Sequence, residues 1–331
     1  MYWVSILRYS TTLSPSHSRS TMHPVLVLGF LLATSGFATA AGSNKLTPRA
    51  QNITTPPSDI SNPWGPNEFS ISILHRSQPF PPSQFFRTAI GVLSELSQRD
   101  FNSMLPRPRM SWYETSAPRL TIAVASTGHN LRLPLRYVLW AIARLWQDMV
   151  RTNDFRTSVT DVKWQGAKVG TMSIINYRLE QPGTIPTNAT SLPTTDPAAP
   201  QNAWIGFQYR SHGSLLPTAD VYMGAIGALI QAAELTSARP PGQNIDRFEG
   251  GFPTYLATYS FESYVTPSRL SRLGLVASIV AATIYASEKN DWRELELNTT
   301  LDGEVVARGG YRRSGQVGGL GAGDGGGVSS S

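Results

Sequence analysis

The sequence predicts an α+β protein in which one β-α-β-α-β-β unit occurs twice, its helices packed on antiparallel or mixed sheets, with disordered termini. Three observations predict this. The stretch Pro81 to Leu93, PPSQFFRTAIGVL, returns as PTADVYMGAIGAL at Pro217 to Leu229, a spacing of 217 − 81 = 136, and Pro81, Ala89, Ile90, Gly91 and Leu93 meet identical residues. At that spacing Leu120 meets Leu256, Arg136 meets Arg272, Leu139 meets Leu275 and Ala141 meets Ala277; one residue on, Arg156 meets Arg293, Gly166 meets Gly303 and Val169 meets Val306. The order of strand-like and helix-like segments also repeats on either side of a Pro- and Thr-rich linker.

Residues 1–40 read as an N-terminal extension and secretory signal. Val25 to Phe37 is an apolar run of signal-peptide length, and Ala38-Thr39-Ala40 supplies small residues for cleavage. As a membrane span it is too short and too interrupted. Either Met1 or Met22 serves as the start. Residues 41–66, rich in Thr, Ser, Asn and Pro, bury too little apolar surface to offset the entropy of ordering and are expected to be a disordered leader.

The first repeat is assigned to residues 67–179. Phe69, Ile71 and Ile73 alternate with polar neighbours, the period of a half-buried strand. Pro79, Pro81 and Pro82 end it, and Phe85, Phe86, Ala89, Ile90, Leu93 and Leu96 follow at helical spacing, with Ser83 as the expected N-cap. Leu120 to Ala125 reads as a strand that could form a hairpin with Met110 to Glu114. Leu133 to Val150 is an amphipathic helix, and two strands then meet at Gln165-Gly166, where glycine accepts the positive φ of a tight turn.

Residues 180–202 form the linker, 203–312 the second repeat and 313–331 a disordered Gly/Ser tail. In the second repeat the expected order is strand Ala203 to Arg210, helix Thr218 to Leu235, strand Thr254 to Tyr264, helix Pro267 to Ser287 and a hairpin turning at Asp302-Gly303. Val221 to Ala233 and Leu273 to Ala286 are almost wholly apolar but short, so both read as helices buried on a sheet. Gly224, Ala225, Gly227 and Ala228 would let the first of these approach its neighbour closely.

Composition excludes several chemistries. The chain has no cysteine, hence no disulfide, thiolate metal site or cysteine nucleophile. Its formal charge is +6; without the signal region's Arg8 and Arg19 it carries 28 − 2 = 26 basic residues against 22 acidic, or +4, too mild and scattered for nucleic-acid binding. Serine-hydrolase, zinc-protease, phosphate-loop and calcium-loop motifs are absent, and no metal or cofactor is expected.

Candidate site residues are few. His129, in Ser126-Thr127-Gly128-His129-Asn130 between a strand and a helix, is the one candidate for catalysis, at a location where α/β enzymes place active groups. Arg76 and Arg210, each beside a serine after the first strand of its repeat, form a candidate ligand-binding pair; Arg136 and Arg272 form another, facing a cleft between repeats. Asn52, Asn188 and Asn298 begin N-x-[ST] glycosylation sites in leader, linker and last hairpin.

Tyr137-Val138-Leu139-Trp140, followed by Trp164-Gln165-Gly166-Ala167-Lys168-Val169-Gly170, resembles a pattern in uncharacterised secreted proteins of filamentous fungi that have no assigned activity. The resemblance implies a fungal extracellular protein and assigns no functional residue. The reading as a whole is a secreted, non-catalytic binding or interaction protein, extracellular or in the cell wall, with no membrane segment after signal removal. Its expected partner is an anionic ligand or a polysaccharide. The alternative is a secreted hydrolase with a site near His129 or at the seam between repeats.

Overall fold

The structure, a computed structural model, describes residues 64–113, 120–128, 131–176, 205–238, 244–265 and 268–314. The expected signal, most of the leader, the linker and the tail from residue 315, together with His129, Asn52 and Asn188, lie outside these residues.

The first repeat contains β1 (Phe69–Pro79), α1 (Pro82–Leu96), β2 (Arg109–Tyr113), β3 (Leu120–Ser126), α2 (Leu135–Thr152), β4 (Arg156–Trp164) and β5 (Ala167–Asn176). The second contains β6 (Ile205–Leu215), α3 (Thr218–Ala238), β7 (Arg247–Gly251), β8 (Ala257–Ser263), α4 (Arg272–Lys289), β9 (Arg293–Leu301) and β10 (Glu304–Arg313). The fold is α+β and internally duplicated. The unit is β-α-β-β-α-β-β, one strand longer than the expected β-α-β-α-β-β. That strand, β2, matches the hairpin expected from Met110; its counterpart β7, RFEGG, is not legible in the sequence because the buried positions are Phe248 and a glycine, Gly250.

Each repeat makes its own antiparallel sheet. The orders, β1-β4-β5-β3-β2 and β6-β9-β10-β8-β7, are the same topology written twice. Register repeats too: Phe69 faces Trp164 as Ile205 faces Leu301, and both first strands bulge near their ends. The final hairpins turn at Gln165-Gly166 (φ 50°, 79°) and Asp302-Gly303 (φ 52°, 87°), two left-handed residues in each, as a tight turn matched to strand twist requires.

These boundaries correct the sequence alignment. The spacing is 218 − 82 = 136 from α1 to α3, but 257 − 120 = 137 from β3 to β8 and 272 − 135 = 137 from α2 to α4. The extra residue therefore enters before β3, not after α2. Leu120 corresponds to Ala257 and Leu135 to Arg272, so Arg136 and Arg272 are not equivalent. Arg156 with Arg293 and Gly166 with Gly303 do correspond.

The helices lie between the sheets, giving the layers sheet, helices, helices, sheet. α2 is amphipathic because it rests on β1 and β4 and leaves Arg151 in water. α3 is apolar on every side because it touches the second sheet, α4 and both helices of the first repeat. A Cβ at Gly224 would stand 2.7 Å from the Ala257 carbonyl oxygen, and one at Gly227 2.7 Å from the Gly251 carbonyl carbon. The expected close approach is thus onto β7 and β8.

Arg144 of α2 binds the segment that enters β1. Its guanidinium donates to the carbonyls of Trp64 (3.0 Å) and Phe69 and sits over the Phe69 ring at 4.9 Å. Burial pulls the guanidinium pKa down to about 10. Trp64, thus held, reaches across to Phe252 of the other repeat, ring centroids 5.0 Å apart.

Candidate functional site

The two repeats meet where α1 crosses α3. Phe86 and Tyr222 are equivalent residues (222 − 86 = 136) and stack face to face, centroids 4.5 Å apart and planes within 2°. A pseudo-twofold axis therefore passes between them. Beside this stack opens a cleft of about 470 Å³.

Its lining follows the axis. Pro82 corresponds to Thr218, Ser83 to Ala219 and Phe86 to Tyr222, all at spacing 136; Val150 corresponds to Ser287, Asn153 to Asn290 and Phe155 to Trp292, all at 137. Those six pairs account for every lining residue except Arg87. Its equivalent, Met223, is fully buried.

Local sequence explains how these side chains arrive. α1 begins at Pro82, behind an N-cap at Pro81 that has no side-chain hydrogen bond. Ser83, expected as the cap, is instead an exposed first-turn residue of the cleft. α2 and α4 end at Asn153 and Asn290, both left-handed at φ 50°, a conformation asparagine tolerates better than most side chains. Each asparagine belongs to a repeated tetrapeptide, Asn153-Asp154-Phe155-Arg156 and Asn290-Asp291-Trp292-Arg293. The aromatic residue turns into the seam: Phe155 lies 5.7 Å from Phe86, and Trp292 5.1 Å from Tyr222. The arginine pairs with the aspartate two residues before it, so Arg156 and Arg293 serve local ion pairs.

At one side of the cleft Arg87 donates to Ser287 Oγ through Nη2 at 2.8 Å and Nε at 3.3 Å. Tyr222 donates its hydroxyl to the same oxygen at 3.0 Å, and Asn290 Oδ1 accepts the Trp292 indole N–H at 2.9 Å. The lining holds no aspartate, glutamate, histidine or lysine.

The sequence-derived candidates lie elsewhere. Arg76 and Arg210 are exposed residues within β1 and β6, not in loops. At spacing 136 Arg76 corresponds to His212 and Leu74 to Arg210, so the two arginines are not symmetry mates. Arg136 donates to Asn102 Oδ1 at 3.1 Å and lies 5.5 Å over the Tyr137 ring. Arg272 crosses the seam to donate to the carbonyl of Gln98, two residues past the end of α1. Asn298 is half-buried within β9, three residues before its end, and its Oδ1 is buried without a hydrogen bond.

Two further titratable clusters sit away from the cleft. His75 Nε2 stands 3.6 Å from Asp148 Oδ2, while Asp148 Oδ1 accepts from Arg151 at 2.7 Å. Burial works to raise the Asp148 carboxyl, but His75 and Arg151 outweigh it and hold its pKa below the usual range. Glu234 of α3 meets the Trp140 indole of the first repeat; burial pushes its pKa up, with the indole hydrogen bond opposing. Among the described residues no three His, Asp or Glu gather as metal ligands, and no helix is long and apolar enough to cross a membrane.

No family model matches the chain, and no curated protein matches it. Solved structures similar to it include the tandem DUF26 ectodomain of the Arabidopsis thaliana cysteine-rich receptor-like protein PDLP8, at 8% identity and TM-score 0.21, covering 73% of this chain and 97% of that one. The corresponding ectodomain of PDLP5 is similar at 9% identity and TM-score 0.20, covering 72% of this chain and 96% of that one. Overlaps this loose assign nothing to the cleft.

Proposed function

We propose that this chain is a secreted, non-catalytic binding protein that holds a small ligand in the cleft on the axis between its repeats. One observation carries the reading: both repeats contribute equivalent positions to one cleft, which is lined by hydroxyls, amides, aromatic rings and a single arginine. General acid-base chemistry is most often carried by a carboxylate or an imidazole, and the cleft is lined by neither. Pockets that fix a ligand by a few polar groups on an apolar wall have this composition and fall within this size range. The extracellular part of the proposal rests on the apolar Val25 to Phe37 run and the small residues after it.

Two experiments test it. Expressed in a eukaryotic secretory host, the chain should appear in the medium with a new N-terminus near Ala41; retention inside the cell with residues 1–40 attached would refute secretion. For binding, small organic acids, alcohols and sugars are screened by ligand-observed NMR against the chain and against Ala219→Trp, which fills the cleft. Hits lost in that variant support the cleft as the site. Hits that all survive, or turnover of an ester or glycoside substrate by the chain, would sink the reading.

A further inference from the structure

We infer that the cleft selects a small organic monoanion, a carboxylate on an apolar body, and that Arg87 determines that choice. The inference rests on the cleft being the ligand site. Its basis is the place where the pseudo-symmetry breaks. The contact between Arg87 and Ser287 has as its symmetry counterpart Met223 and Val150, an apolar pair. One side of the cleft is therefore cationic and hydroxyl-bearing, and the other offers Val150 and Phe155.

Arg87 is half-buried and has no acidic partner among the described residues; its side-chain partner is the neutral Ser287. A guanidinium has more N–H donors than the two spent on that hydroxyl. A half-buried cation without a counter-ion carries a desolvation cost that an anionic guest would offset through charge-assisted hydrogen bonds. Nothing in the lining competes, because no carboxylate is present there. Asn290 has its Oδ1 occupied by Trp292 and so presents its amide N–H groups, again donors. A neutral guest would leave Arg87 uncompensated, and a dianion would meet only one cation.

Calorimetric titration of the full chain with 2-naphthoate and its neutral counterpart 2-naphthamide tests this. The carboxylate should bind about tenfold more tightly than the amide. Arg87→Met, which installs the second repeat's own residue, should erase that preference, and Arg87→Lys should retain part of it. Equal affinity of the wild-type chain for both compounds, or a preference that survives Arg87→Met, would overturn the inference and leave the cleft itself standing. Binding of both that is undiminished in Ala219→Trp, or no binding of either, would instead remove the cleft as the site.

Discussion

Phe86 and Tyr222 occupy the same position in the two repeats and stack on each other, rings 4.5 Å apart and nearly parallel. Each ring is 2% exposed, so the contact is a core contact that happens to lie on the axis. The buried residues of both repeats form one continuous hydrophobic cluster, so damage at this point should be felt by both sheets.

Truncating Phe86 to alanine removes the stack and leaves a cavity at the seam. Denaturant unfolding should show a loss of about 3–5 kcal/mol. Tyr222→Phe keeps the ring and loses the hydroxyl's bond to Ser287, which should cost about 1 kcal/mol. A Phe86→Ala chain as stable as wild type would mean the repeats do not pack as described.

Arg144→Leu should free the entry segment. The carbonyls of Trp64 and Phe69 would lose their donor, and a destabilisation of about 2–3 kcal/mol is expected in the same assay. Hydrogen exchange at residues 64–69 should rise with it.

Asp148 makes stability acid-sensitive. Its folded pKa lies below the unfolded value, so its contribution is fully present above the unfolded value and is lost as pH falls through the folded one. Asp148→Asn should therefore weaken the protein at pH 7, and the gap to wild type should close as the solution is acidified below about pH 4. A gap independent of pH would show that the charge is not what matters.

Glu234 works in the opposite direction. Its folded pKa is raised, so the associated stability is complete below the unfolded value and declines as pH rises through the folded one. Glu234→Gln, which can still accept from the Trp140 indole, should raise the melting temperature at pH 7 and change little below about pH 4.

Much of the fold was legible because local chemistry and tertiary position agree. The duplicated helix opening, the alternation of Phe69, Ile71 and Ile73 and the two glycine turns all follow from rules that act within a few residues. β7 was hidden because a five-residue edge strand carrying two glycines has little pattern to read. The inserted residue before β3 was misplaced because Leu, Arg and Ala recur often enough to align at a false register. α4 starts at Arg272, several residues after the expected start at Pro267.

The site was less legible than the fold. Arg87 stands inside the very stretch that revealed the repeat, but an arginine opposite a methionine counts there as a mismatch, not a signal. The repeated Asn153-Asp154-Phe155-Arg156 and Asn290-Asp291-Trp292-Arg293 was the available clue to the cleft. Its arginines align at the repeat spacing, but they serve neighbouring aspartates. The candidate pairs Arg76 with Arg210 and Arg136 with Arg272 have an apparent symmetry that the element boundaries do not support.

Met223 standing opposite Arg87 has a consequence for how a guest is oriented. Two separate copies of one repeat, associating through the same faces, would give identical arms and accept a molecule in either of two head-to-tail poses. Joining both repeats in one polypeptide lets the lining's cation, Arg87, sit on one arm only, so under the proposed function a guest with distinct ends would have a single lowest-energy direction.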